Sequence, residues 1–201
     1  MSEAKEHILL TAFKLFLQKT FKEVTMKEIV DRTGLSKGAF YHYFNSKEGL
    51  FIEVVDKFLT PFMFLDYDKF SKESLFKFYS DYLGYIEKSF IEYKEIFMLT
   101  EREDVYINFY MLYFDALKIV PGFQNTMTKA MENELYAWEE VVEIAKKNGE
   151  IKSNMSNKEI ANIFIFTNDG VGLRALFYGD INLMKKLLSQ MWNNFYADMK
   201  V

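Results

Sequence analysis

The chain has 201 residues, about half of them apolar and 27% charged, so it is large enough to bury a core without covalent staples. It contains no cysteine, which excludes a disulfide framework, a thiolate zinc site and a cysteine nucleophile; His7 and His42 alone leave little for histidine chemistry, and no metal or cofactor is expected. Its net charge of −4 is unevenly spread: residues 1–50 carry eight Lys/Arg against six Asp/Glu, and Arg32 to Lys47 holds no acid, a local preference for an anionic partner.

Two prolines and nine glycines are too few turn-formers for a sandwich or barrel, and the 3.6-residue period starts at once. Ile8, Leu9, Ala12, Phe13, Phe16 and Leu17 make an apolar stripe through a helix over about 3–19. The opening residues carry mixed charge in place of the h-region of a secretory signal, and no stretch has the ~18 apolar residues of a membrane span, so a cytoplasmic chain without a membrane partner is expected. Thr25-Met26-Lys27-Glu28 has the form of a capping box, with Glu28 reaching back to the Thr25 amide, and opens a short helix that stops at Gly34. Ser36 caps a third helix, Lys37 to Tyr43, and Ser46 a fourth that carries Leu50, Phe51, Val54, Val55, Phe58 and Leu59 towards Pro61.

Longer helices follow. Leu75, Phe78, Tyr82, Leu83, Ile86 and Phe90 mark one; Thr100-x-x-Glu103 opens another that ends at Pro121-Gly122. Met127, Met131, Leu135, Trp138 and Val142 mark the next, closed by Lys146-Lys147-Asn148-Gly149. Ser156-x-x-Glu159 opens a helix to Tyr178, and Gly179-Asp180 separates it from a last one ending near Met199. The expected fold is all-α, with about nine helices and no strand.

Two short helices around Gly34 have the form of a helix-turn-helix over residues 25–44, although periodicity alone also allows an ordinary αα-corner. Ile29, Val30, Leu35 and Phe40 can fix the angle between them. Gly38 and Ala39 leave the second helix without bulk, Lys37 starts it, and Tyr41, His42, Tyr43 and Lys47 are phosphate-capable. The string Ser36-Lys37-Gly38-Ala39-Phe40-Tyr41-His42-Tyr43-Phe44, followed by Ser46-Lys47-Glu48-Gly49-Leu50, resembles the DNA-binding segment of TetR-type transcriptional repressors over roughly residues 6–52.

The resemblance implies a three-helix DNA-binding domain at 1–50 and a larger helical effector-binding and dimerisation domain at 51–201. It implies that Lys37, Gly38 and Ala39 face the major groove, that Thr25, Tyr41, His42, Tyr43 and Lys47 meet phosphates, that Ser36 also belongs to the DNA-binding set, and that Phe40 and Phe44 are core. The second helix holds no Arg, Asn or Gln for bidentate base readout. An effector cavity among the middle helices is implied too, with Tyr79, Tyr82, Tyr110, Tyr113, Trp138, Phe164 and Asn168 as candidates to line it, and an apolar or aromatic effector is favoured. Asn168, Asp169 and Arg174 are notable as polar residues on apolar helices. For dimerisation, Val171, Ala175 and Tyr178 on one of the last two helices face a matching stripe of Leu188, Met191, Trp192 and Phe195 on the other.

The expected function is therefore that of a homodimeric, ligand-released repressor on a palindromic double-stranded operator. Control by a protein partner, or no effector at all, is the alternative. A helical enzyme fits less well, since no catalytic set converges.

Overall fold

The computed structural model describes residues 2–97, 105–178 and 182–201. Ser2 Oγ accepts the Lys5 amide at 3.3 Å and caps α1, Glu3–Gln18, whose stripe from Ile8 to Leu17 is buried. Thr25 Oγ1 accepts the Glu28 amide at 3.1 Å and caps α2, Met26–Thr33. The Glu28 carboxylate does not complete the expected box; it takes the Lys19 ammonium at 2.6 Å instead, a charged partner outcompeting a neutral amide. Gly34 follows α2 at a φ of 68°, a left-handed conformation that glycine adopts without a Cβ penalty.

Ser36 caps α3, Lys37–Tyr41, and Ser46 caps α4, Lys47–Val54. The helix continues through a π-turn over Val55–Leu59 into α5, Thr60–Met63. There the Thr60 amide reaches back to the Val55 carbonyl, just before Pro61, which has no amide to donate. The longer helices are α6, Leu75–Phe97; α7, Val105–Ile119; α8, Phe123–Lys147; α9, Asn157–Tyr178; and α10, Asn182–Met199. The start expected at Thr100 to Glu103 and the break expected at Gly179-Asp180 lie outside the described residues.

At α9 both halves of the capping box form: Glu159 donates its amide to Ser156 Oγ at 3.2 Å and accepts the Ser156 amide at 2.7 Å. The N-terminus of α6 is capped from a distance, since the Glu150 carboxylate accepts the Leu75 and Phe76 amides at 2.9 and 3.2 Å. Counting the unbroken run 47–63 once, the described residues form nine helices, besides one 3-10 turn over Tyr67–Lys69, and no strand beyond an isolated bridge between Ile151 and Lys200. None of these helices is long and apolar enough to cross a membrane.

The chain divides into two compact units, Met1–Phe64 with Lys94–Thr128 and Leu65–Tyr93 with Lys129–Val201, so residues 94–128 group with the N-terminal segment rather than with the rest of 51–201. In the first unit α1 packs against α2, α4 and α7 around stacked and edge-on phenylalanines, Phe13 on Phe58 at 4.6 Å and Phe16 on Phe51 at 5.0 Å. The buried Asn108 amide donates to the Leu17 carbonyl at 3.0 Å, and Asp115 accepts the Phe21 amide at 3.2 Å, so α7 holds the end of α1 and the turn after it. In the second unit the core centres on Tyr79, Tyr82, Trp138, Phe164 and Trp192, with Trp138 stacked on Phe164 at 4.8 Å and edge-on to Trp192 at 5.5 Å.

Candidate nucleic-acid interface

The surface of α3 follows from which of its side chains go inward. Phe40 and Phe44 are buried, with Ile29 and Val30 of α2 and Leu50 and Phe51 of α4 also in the core of this unit. That leaves Lys37, Gly38, Ala39, Tyr41 and His42 exposed along one short helix, with Tyr43 half-buried. A Cβ added at Gly38 would meet nothing within 4 Å, so the surface there is flat and open. Ser36 is spent on the cap, accepting the Ala39 amide at 3.3 Å. The turn before α3 is fixed by Thr33, whose hydroxyl donates to the Val30 carbonyl at 2.8 Å and accepts the Leu35 amide at 3.3 Å. His7 of α1 bonds the Thr33 carbonyl at 3.0 Å.

The phosphate candidates are not alike. Thr25 uses its hydroxyl on the α2 cap, and the Tyr41 and His42 side chains are exposed. Tyr43 accepts a hydrogen bond from the Ser2 hydroxyl at 3.0 Å, which leaves its own O–H to donate elsewhere. Lys47 turns inward: Nζ donates to the Phe21 and Val24 carbonyls at 2.8 and 2.7 Å and sits 4.3 Å from the centre of the Phe21 ring. One N–H remains for a phosphate. Ser2 and His7 were missed by sequence reasoning because their partners lie 41 and 26 residues away.

The seven effector candidates are divided between the two units. Tyr110 and Tyr113 belong to the first unit, where Tyr113 packs on Phe109 and Phe123. Tyr79, Tyr82, Trp138, Phe164 and Asn168 belong to the second. There Tyr79 donates to Asn193 Oδ1 at 2.8 Å, Asn168 Nδ2 donates to the Tyr82 hydroxyl at 3.3 Å, and Tyr82 donates to Glu134 Oε1 at 3.4 Å. Glu134 escaped the sequence reading although it shares a helical face with Trp138, Val141 and Ala145, a charged residue on a buried stripe. Its carboxyl is pushed up to about 7, chiefly by desolvation and then by Asp169. Burial also raises the Tyr82 hydroxyl.

The dimer candidates divide by depth. Ala175, Leu188 and Trp192 are fully buried and Val171 nearly so, packed within this one chain, and Phe195 is half-buried against the same core. Of the expected stripe only Tyr178 and Met191 are exposed. A different stripe of α9, Phe166, Leu173 and Phe177, stands in solvent at 65%, 45% and 78% exposure.

Residues 8–54 match the family described as bacterial regulatory proteins, tetR family. The HTH-type transcriptional regulator YerO of Bacillus subtilis (strain 168) is 42% identical over 59 residues, 29% of this chain and 20% of that protein. The HTH-type transcriptional repressor NemR of Escherichia coli (strain K12) is 34% identical over 55 residues, 27% of this chain and 28% of that protein. The chain thus spans less than a third of the length of these curated relatives. Among solved structures, reduced E. coli NemR superposes with a TM-score of 0.62 at 17% identity, covering 95% of this chain and 97% of that one. A TetR-family regulator from Agrobacterium tumefaciens gives 0.65 at 16% identity, covering 98% of each chain; at such identities the likeness is one of fold.

Proposed function

We propose that the chain, whose residues 8–54 match the tetR family of bacterial regulatory proteins, is a cytoplasmic transcriptional repressor, not an enzyme, that binds a palindromic operator as a homodimer and lets go when a small molecule binds. The observation that carries the reading is the exposed Lys37-Gly38-Ala39 face of α3, held by Phe40 and Phe44 on one side and left without side-chain bulk on the other. A helix so stripped can bring its backbone close to base edges in a major groove, with Lys37 as the donor and Ala39 as a methyl contact for thymine. With few base-reading side chains, preference among operators rests in part on DNA shape. The capped starts of α2 and α4, with Tyr41, His42 and Tyr43, serve the phosphates.

A single such helix reads a few base pairs, so two half-sites about one helical turn apart require a two-fold dimer. The apolar face of α9 made by Phe166, Leu173 and Phe177 supports that dimer better than the buried stripe does. Ligand release requires a ligand with different affinities for the DNA-competent and incompetent states. The polar group around Tyr82 in the second unit supports a ligand there. The test is selection of bound sequences from random duplex DNA by the full chain. A palindrome with half-sites one turn apart is expected, and Lys37→Ala lowers affinity for it by tenfold or more at unchanged helicity. Unchanged binding by Lys37→Ala rejects α3 as the reading helix.

A further inference from the structure

The second unit carries more buried polar chemistry than its packing needs. Glu134 of α8 is half-buried and accepts the Tyr82 hydroxyl at 3.4 Å, with the Tyr67 hydroxyl acting to lower its pKa against the burial. The charge that acts on it most is the carboxyl of Asp169 on α9, and among the described residues none of the groups that shift it is a cation. Among the described residues no cation thus offsets the half-buried Glu134 carboxyl, and Asp169 stands exposed at its rim. Asn168 adds an independent sign: its Nδ2 donates to Tyr82, while its Oδ1 is wholly buried and has no hydrogen-bond partner among the described residues. A buried acceptor left unpaired costs free energy that a structural network has no reason to spend.

The surroundings are aromatic. The Tyr82 ring packs against Phe70 at 5.9 Å and Trp138 at 5.5 Å, and Phe70 in turn meets Tyr67 and the exposed Tyr85, each at 5.9 Å. The wall therefore runs from the surface inward. An unpaired acceptor and negative charge beside aromatic rings call for a ligand that brings N–H donors, positive charge and an apolar body.

We propose that Glu134, Asn168 and Asp169, walled by Tyr67, Phe70 and Tyr82, bind a protonated primary or secondary organic amine. The proposal rests on the reading of the chain as a ligand-responsive DNA-binding regulator and names the class of its effector. The ammonium gives one N–H to Glu134 and one to Asn168 Oδ1, Asp169 contributes charge from the rim, and the hydrocarbon part lies on the rings. A quaternary ammonium has no N–H for Asn168, an alcohol has no charge, and a carboxylate meets two of its own kind. Binding also moves a proton. Without ligand the Glu134 carboxyl, held near 7, is largely protonated below neutrality; an adjacent ammonium favours its ionised form, so Glu134 gives its proton to solvent as the amine enters.

The experiment is calorimetric titration of the full chain, without DNA, with benzylamine, N-methylbenzylamine, 2-phenylethylamine and cyclohexylamine, against benzyl alcohol and benzyltrimethylammonium as controls. At least one amine is expected to bind tenfold or more tightly than both controls, with affinity rising between pH 6 and 8 and proton release visible across buffers of different ionisation enthalpy. Glu134→Gln, which keeps size and hydrogen-bonding atoms, is expected to cost tenfold and to abolish the proton release. Asp169→Asn, on the exposed rim, is expected to cost about threefold with the fold intact by circular dichroism. Amines binding no better than the controls, or a folded Glu134→Gln with unchanged affinity, overturn the site. Because the titration holds no DNA, a chain that binds the amine yet selects no operator overturns only the regulator reading beneath it.

Discussion

Lys47 at the start of α4 donates to the backbone carbonyl of Phe21 at 2.8 Å, and to that of Val24 at 2.7 Å, from directly over the Phe21 ring. The turn it grips is the one that delivers the chain into α2. From the other side α7 grips the same turn, through Asp115 on the Phe21 amide and Asn108 on the Leu17 carbonyl. The position of the helix-turn-helix is thus set by polar contacts to the backbone just before it. A charged donor on two carbonyls contributes about 1.5–3 kcal/mol per site.

Lys47→Ala is therefore expected to lower the unfolding free energy by about 2 kcal/mol and to weaken operator binding through geometry. Its log-affinity slope against log salt should change by well under the roughly one unit that goes with a phosphate-bound cation. Denaturant unfolding and binding at several salt concentrations measure both. A Lys47→Ala protein of unchanged stability whose slope falls by a full unit puts the ammonium on a phosphate instead.

Tyr43 depends on Ser2 in a way that sets its proton. Since the Ser2 hydroxyl donates to the Tyr43 oxygen at 3.0 Å, the phenolic hydrogen is free to donate outward to a phosphate. Tyr43→Phe is expected to weaken operator binding roughly fivefold, about 1 kcal/mol, without altering the salt slope, since no charge is lost. Ser2→Ala should cost less, Ser2→Thr should keep the contact, and the double variant Ser2→Ala/Tyr43→Phe should cost less than the sum. Additive losses in that cycle show the two hydroxyls acting separately.

What could be read from the sequence was what is local. Thr25, Ser36, Ser46 and Ser156 cap helices at the positions their spacing gives, and Gly34 takes the conformation that its place after α2 demands. Such features are decided within four residues. The α9 stripe was not legible because two apolar stripes run along that helix about 200° apart: Phe164, Val171 and Ala175, and Phe166, Leu173 and Phe177. Periodicity identifies both and cannot say which one α10 covers. Among the aromatic candidates, likewise, nothing in their spacing assigns Tyr113 and Tyr82 to separate compact units.

The Glu134 carboxyl gives a pH dependence of definite sign. Its pKa is raised in the fold to about 7 from an ordinary 4.5, so between those values the native state binds more protons than the unfolded one. Stability contributed by the protonated form is present in full below the unfolded value and is lost as pH rises through the folded one, at most about 3 kcal/mol at 1.4 per unit, less the part returned by solvent at its exposed edge. Relative to the parent, Glu134→Gln is expected to be more stable at pH 8 and little changed at pH 4.5. Unfolding free energies of the two proteins that run parallel from pH 4.5 to 8 refute the buried acid.

The outer stripe of α9 makes the last prediction. Phe166, Gly170, Leu173 and Phe177 follow one another at four, three and four residues, one face of a helix, and the space over Gly170 is open. A monomer seldom leaves so continuous an apolar strip in water. Two copies related by a two-fold axis would cover it, and a stable interface of this kind buries about 1,200 Å² or more in total. Leu188 and Trp192 cannot serve as the probe, because each is fully buried within its own chain and Leu188→Glu would unfold the second unit. Leu173→Glu with Phe177→Glu is the informative pair, since both side chains already stand in solvent and the carboxylates remain hydrated when the chain is alone. Sedimentation equilibrium is expected to show a dimer for the parent and a folded monomer for the pair, with operator binding reduced at least a hundredfold as the second half-site is lost. A dimer undisturbed by both charges puts the two-fold contact on another face.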